Sequence, residues 1–310
     1  DSRQEQILSS DNLTHNLRTG ISWKTTEKSH LDLAYTASFT PSGNGDISAT
    51  GNFVDSYSHI HDDPTMHNLS LSAVTGFGTE IGADYTYYRT TSRQTMSLSP
   101  ADGAPSSFTT DAGQRIDRLS VYLDQRHDLG SQWMFNYGAR FSYVRDDDYQ
   151  YYTSEEEMGD LDTDIRLDEY TYDLYAGASR SFASDVSFSA SLTGEYYRRN
   201  GYDRWALFPQ ASLSWMASPE HILQAEFSSD KGYPSFWDMS GAVTYIDGYS
   251  EIHGTPGLQP SANYSLTLTY VLKQKYIFQL FGNHTADAFN QSAYLAPDRQ
   301  GNITAQQVAD

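Results

Sequence analysis

Three groups of side chains in this sequence have the donor atoms or ring faces that chemistry needs. The first is His59-Ile60-His61-Asp62-Asp63, with His67 beyond it, which offers imidazole and carboxylate groups suited to Zn²⁺ or Cu²⁺. Its spacing matches no metal signature, and a solvated surface segment is the plainer reading, so no metal is assigned. The second is a run of carboxylates: Asp146, Asp147, Asp148, Glu155, Glu156, Glu157, Asp160, Asp162 and Asp164. Its oxygens suit Ca²⁺, but no D-x-[DN]-x-[DN]-G frame organises them, and clustered like charges predict a mutually repelling, mobile loop over 146–164. The third lies between 231 and 260. There Phe236, Trp237, Tyr245 and Tyr249 supply stacking surfaces for a sugar, a peptide or a metal chelate, or else only pack the segment against its neighbours. Pro234, Pro256 and Pro260 fix φ in this stretch, while Gly241, Gly248, Gly254 and Gly257 allow tight turns, so it is expected to be ordered.

No catalytic signature accompanies these groups: G-x-S-x-G, H-E-x-x-H, G-x-x-x-x-G-K and G-x-G-x-x-G are all missing, and the sequence implies neither an enzyme nor a cofactor. With 20 Lys and Arg against 40 Asp and Glu, the formal charge is −20, which argues against nucleic acid as a partner because phosphate neutralisation needs clustered cations. Cysteine is absent, which removes disulfides and thiolate sites. No run of about 18 apolar residues occurs, which excludes membrane-spanning helices but not spanning strands, since a strand shows lipid only every second residue.

The elements that carry these residues are written in a period of two. Val186, Phe188, Ala190, Leu192, Gly194 and Tyr196 point one way, and Ser187, Ser189, Ser191, Thr193 and Glu195 the other. The same alternation sets Trp133, Phe135, Tyr137, Ala139, Phe141 and Tyr143 opposite Gln132, Asn136, Arg140 and Ser142. Applied throughout, it predicts an all-β, antiparallel up-and-down meander of about twelve long strands, at about 14–25, 29–40, 66–77, 79–93, 115–127, 131–145, 168–182, 185–199, 203–217, 220–230, 261–273 and 275–286. Tight turns near Glu27, Gly78, Gly130, Ser184, Pro219 and Gln274 alternate with long polar connections at 41–65, 96–114, 146–167 and 231–260. Short turns at one end, long loops at the other and strands of about twice the usual length describe part or all of a transmembrane β-barrel. Trp23, Trp133, Tyr143, Tyr170, Tyr196, Trp205, Trp215, Tyr264 and Tyr276 fall where outward strands meet an interface, as in aromatic girdles. Inward Asp32, Asp84, Asp124, Arg126, Arg140, Asp173, Glu195 and Glu226 are expected to line a hydrated lumen. Residues 1–10 show no basic and apolar signal region, and 307–310 ends without Phe or Trp, so a central piece of a longer polypeptide is expected, with a self-contained twelve-strand barrel as the competitor.

The segment Tyr233-Pro234-Ser235-Phe236-Trp237-Asp238, followed by Gly254-Thr255-Pro256-Gly257-Leu258-Gln259-Pro260, resembles a loop of the outer-membrane β-barrel family of Bacteroidetes. In that family an R-P-S-like stretch precedes G-N-P-x-L-x-P-E and a long strand. Here Lys231-Gly232-Tyr233 stands in place of the common Arg, Thr255 in place of Asn and Ser261 in place of Glu. The resemblance is motif-specific over 233–270, and it implies kinship with TonB-dependent receptors. The whole of 1–310 is then outer-membrane barrel with no plug domain in view, bathed by outer-membrane lipid. Its further partners would be a plug domain, a TonB-type energy-coupling protein and a small ligand of unknown identity. Uptake of a nutrient across the bacterial outer membrane is the function this implies, and a non-transporting adhesin or scaffold is the alternative.

Overall fold

The computed structural model describes residues 4–130, 132–154, 158, 161–182, 185–295 and 303–309. Its first six strands form three end-to-end pairs: β1 (Gln4–Asn12) with β2 (His15–Thr26), β3 (Ser29–Phe39) with β4 (Gly43–Gly51), and β5 (Val54–Asp62) with β6 (Thr65–Val74). Next come β7 (Thr79–Pro100), β8 (Ser106–Leu129), β9 (Trp133–Ser154), β10 (Thr163–Phe182), β11 (Val186–Arg199), β12 (Tyr202–Ser218) and β13 (His221–Gly232). A long connection holds the one-turn helix α1 (Phe236–Met239) and the short strands β14 (Val243–Tyr245) and β15 (Ser250–His253). The chain then forms β16 (Ser261–Leu272), β17 (Tyr276–Ala286), β18 (Phe289–Leu295) and β19 (Ile303–Ala309).

Fifteen of these strands make one sheet. β7 is long enough to pair β6 along its first half and β5 along its second. The break between β5 and β6 falls at Pro64, which has no N–H to donate. Thr91 of β7 bridges it, donating its amide to Asp63 Oδ1 at 2.9 Å and accepting from the Asp63 amide at 3.2 Å. Counted as end-to-end runs, the sheet is an antiparallel meander of twelve long passes, as the alternation predicts. Among the described residues its edge strands, β1 and β2 at one side and β17 at the other, each pair on one side only.

Register decides which residues share a face. Trp133, Phe135, Tyr137 and Phe141 of β9 pair with Arg180, Ala178, Ala176 and Tyr172 of β10, which pair in turn with Phe188, Ala190, Leu192 and Tyr196 of β11. The two apolar series therefore lie on one face, and Phe135, Phe188, Leu192, Leu207 and Trp205 are exposed on it. From Val186 to Tyr196 the strand covers roughly 34 Å, or about 24 Å of height at the usual tilt, which matches the apolar band of a membrane barrel. Rings border this band. Tyr143 and Tyr170 lie 5.0 Å apart, and Phe141, Tyr172, Tyr196 and Trp205 continue the row at 5.0, 6.1 and 4.8 Å. At the turn end, Trp133 stacks on Phe135 at 5.8 Å while the Arg180 guanidinium lies 4.3 Å from the Phe182 ring.

Three of the four predicted long loops are something else. Residues 41–65 and 96–114, and the stretches 146–154 and 163–167, prolong the sheet beyond the apolar band as paired strands. Their alternation persists, but the outer face meets water instead of lipid and is polar, so the contrast between faces is lost in the sequence. The inner face is the buried one there, with Ser56, Ser58, Gln94, Met96, Phe108, Thr110, Gln150 and Tyr152 all under 10% exposed. This also corrects the expectation of a mobile acidic loop. Asp146 and Asp148 point inward, whereas Asp147 points outward between Arg145 and Arg166, so alternation divides the charges between two faces. Glu155, Glu156, Glu157 and Asp160 lie outside the described residues.

Candidate functional site

The connection from β13 to β16 is the one predicted loop that folds as a loop, and it turns into the lumen. Its root is an ion cluster. Lys231 Nζ lies 3.0 Å from Asp173 Oδ1 on β10 and also pairs with Glu195 on β11, whose Oε2 accepts from Tyr233 Oη at 2.7 Å. Burial and the neighbouring carboxylates push the Tyr233 hydroxyl far above its ordinary pKa, so it stays a donor. Ser235 then caps α1, its Oγ accepting from the Asp238 amide at 3.1 Å.

Beyond α1 the segment is tied to strands from across the lumen. Arg199 of β11 donates to Met239 Sδ and to the Leu258 carbonyl. The Gln150 amide of β9 donates to the Val243 carbonyl at 2.6 Å, and Gln94 of β7 donates to the Tyr245 carbonyl at 3.1 Å. Gln4 and Gln6 of β1 donate to Asp247 Oδ2 at 2.8 and 3.3 Å, and the Gly248 amide donates to Ser56 Oγ at 3.0 Å. Glutamine suits this task because its amide can reach a loop carbonyl without adding charge to a buried surface.

Of the four aromatic residues singled out in the sequence, the structure brings two together at a cavity and sends two into packing. Phe236 and Trp237 line a cavity of about 570 Å³ beneath the segment, together with Tyr88, Ile116, Arg118, Arg140, Val144 and Tyr233. Trp237 is 40% exposed. Tyr245 instead packs edge-on against Phe108 and Tyr152, with ring centroids 5.1 and 6.1 Å apart. Tyr249 is 3% exposed, and its Oη accepts from the amides of Phe53 and Val54 at 2.9 and 3.0 Å. Gly51 leaves room for that ring, because a Cβ there would come within 2.1 Å of the hydroxyl. Tyr249→Phe should accordingly leave two backbone donors unanswered, at a cost of about 1–3 kcal/mol. Faster hydrogen exchange confined to the Phe53 and Val54 amides is the expected readout, and unchanged exchange there would show that water or another acceptor takes over.

The residues that hold the segment were partly visible beforehand. Alternation places Asp173 and Glu195 on the inward face, but Lys231, Gln94, Gln150 and Arg199 carry no local signal, since these partners lie between 36 residues away, for Lys231 with Glu195, and 151 away, for Gln94 with Tyr245. The histidines do not converge. His59 Nδ1 meets Asp46 Oδ1 at 2.9 Å, His61 Nδ1 meets Asn44 Oδ1 at 3.0 Å, and His67 Nδ1 meets Tyr35 Oη at 2.7 Å in a separate row of rings. No group of three or more potential metal ligands occurs among the described residues.

Residues 78–308 match the model of a family described as the outer membrane protein beta-barrel family. None of the curated proteins matches the chain. Solved structures resemble it across nearly its whole length at low identity. The hemophore receptor HasR of Serratia marcescens, in complex with its hemophore and heme, shares 11% identity at a TM-score of 0.46, covering 99% of this chain and 58% of that one. The alcaligin outer membrane receptor FauA of Bordetella pertussis shares 10% at 0.48, covering 99% and 55%. A mutant of the ferric enterobactin receptor PfeA of Pseudomonas aeruginosa shares 9% at 0.45, covering 99% and 58%. The chain thus spans less than two thirds of each.

Proposed function

The chain belongs to the outer membrane protein β-barrel family and lies in the bacterial outer membrane, and from that premise we propose that it forms barrel wall and ligand vestibule of a nutrient-uptake receptor of the TonB-dependent type. In this reading the end with prolonged hairpins is extracellular, the 233–260 segment is a lid inside the mouth, and the cavity beneath it receives the ligand. The observation that carries the proposal is the pairing of that cavity with Phe236 and Trp237 on the underside of an ordered lid. Flat ring faces beside Arg118 and Arg140 suit a solute with an apolar face and polar rim. A plug domain and an energy-coupling protein would complete the machine, and barrel residues such as Asp84 and Asp124 would line its hydrated interior.

Uptake measurements test this. Cells with the intact gene should accumulate one of a panel of labelled metal chelates, oligosaccharides or peptides, and an uncoupler of the proton gradient should abolish that accumulation. Phe236→Ala with Trp237→Ala should weaken its binding roughly tenfold, about 1.4 kcal/mol, with the barrel still present in the outer membrane. Tyr245→Ala should act differently, by loosening the lid. Equal accumulation with and without the gene would favour the alternative, a surface adhesin or scaffold whose hairpins alone act.

A further inference from the structure

Asp146 and Asp148 take no part in the lid contacts or the cavity described above. They project from β9 between Val144, which lines the cavity with Phe236 and Trp237, and Gln150, which holds the Val243 carbonyl. The lid between Trp237 and Val243 therefore closes over them, leaving Asp146 1% and Asp148 6% exposed. Across the ladder on β8 stand Ile116 beside Asp146 and Gln114 beside Asp148, and on β10 Leu167 and Ile165. None of these is charged. The next inward residues, Arg118 and Glu169, flank Val144 instead. Asp147 faces outward toward Arg145. From the lid, Asp238 Oδ2 accepts from Ser235 Oγ at 2.7 Å, and Glu251 lies beside His253 at 3.1 Å. Arg199 of β11 is engaged by Met239 and Leu258. Both carboxylate oxygens of Asp146 are buried with no partner in full hydrogen-bond geometry, and the neutral side-chain amide of Gln114 is the one donor close enough to favour its charge.

A buried carboxylate with no cation facing it and only one neutral amide nearby is poorly supported as an ion; it takes a proton or a metal ion. Two carboxylates and one amide fall short of the six to eight oxygens that Ca²⁺ gathers. We propose that Asp146 and Asp148 form a proton-binding latch beneath the lid, neutral while the lid is docked and released from it when they ionise. The inference rests on reading 233–260 as a lid.

The direction with pH follows from the burial. Desolvation, with repulsion from Asp148 added, pushes Asp146 up to about 7, and desolvation pushes Asp148 up to about 6. Once the lid lifts, both groups meet water and return toward the ordinary carboxylate value of about 4. The docked state thus binds more protons. Docking is fully favoured below about pH 4, weakens as pH rises and levels off above about 7. Each carboxylate contributes up to about tenfold per pH unit to the opening equilibrium while its docked form is still protonated.

Electron-spin distance measurements on the full-length protein in lipid vesicles test this without reference to transport. This chain has no cysteine of its own, so labels can be placed at Thr153→Cys on the outer face of β9 and at Gly257→Cys in the lid, where an added Cβ meets nothing within 4 Å. A single narrow distance is expected at about pH 5, with a longer population that grows up to about pH 7 and then stops growing. Asp146→Asn with Asp148→Asn should show the narrow distance at every pH. Where the double variant does not reach the membrane, Asp148→Asn alone should show a shallower response. A wild-type distribution that ignores pH, or a response that survives undiminished in either variant, would overturn the latch while leaving the uptake reading intact.

Discussion

Lys231→Met should destabilise the docked lid by about 3–5 kcal/mol, the largest loss expected from any single side chain in the site. The ammonium lies between Asp173 and Glu195, whose side chains are 11% and 4% exposed. Truncating it leaves two carboxylates facing each other in a poorly hydrated recess, with the Tyr233 hydroxyl as the remaining donor to Glu195. The penalty is that of stranding charge, which is larger than the net worth of the ion cluster itself. A triple variant, Lys231→Met with Asp173→Asn and Glu195→Gln, separates the two quantities, because it removes the charges along with their partner. The single variant should expose the 233–260 segment to protease on intact cells, and the triple variant should recover most of the protection. A single variant as resistant as wild type would mean that the root of the lid is held by β13 and β16 alone.

The meander was legible because its two faces meet different media. Over 132–143 and 186–196 one face is mostly apolar and aromatic and the other mostly polar, with Met134 and Gly138 among Ser, Thr, Asn, Gln, Arg and Glu, and the structure puts the first face outside and the second inside. The signal fails where the outer medium changes. At Arg145, Asp147 and Tyr149 the outward face of β9 has left the apolar band, so polar residues occupy both faces and the strand reads as a loop. The same loss hid β4 and β5, where Asp46, His59 and His61 face water while Ala49, Ser56 and Ser58 are the buried set. Strand content survived in the pattern, but the sign of its contrast did not.

The site was legible to a smaller degree, for a related reason. Prolines and glycines announced an ordered segment at 231–260, since they limit the conformations the chain must give up. Which aromatic faces the cavity is a matter of register between the lid and strands some 90 to 200 residues away, such as Val243 with Gln150 and Gly248 with Ser56. Nothing local separates Trp237 from Tyr249. The first sits on a capped helical turn that tips it over the cavity, and the second ends as an acceptor for two strand amides.

A charge placed on the outer face should separate membrane-facing from lumen-facing positions more sharply than any other surface change. Leu192 is 47% exposed, midway up the apolar band, and its cross-strand neighbours Ala176 and Pro209 offer no counter-charge. Leu268 sits between Ala225 and Leu280 in the same way. Arg or Lys at either position must hold its charge near hydrocarbon, which should cost about 2–4 kcal/mol. The same change at Ser189 loses one neutral hydrogen bond, to Ser212 Oγ at 2.7 Å, worth about 1 kcal/mol, and leaves the new charge in the aqueous lumen. At Thr267, which pairs with inward-facing Glu226, the added cation gains a carboxylate neighbour. Unfolding in lipid bilayers should therefore show large losses for Leu192→Arg and Leu268→Arg and small ones for Ser189→Arg and Thr267→Arg. Because Thr267 and Leu268 are adjacent on β16 and lie at nearly one height, depth in the bilayer cannot produce the difference between that pair. Equal losses on both faces would mean that the apolar band contacts protein instead of lipid, and the assignment of this sheet as a membrane wall would have to be withdrawn.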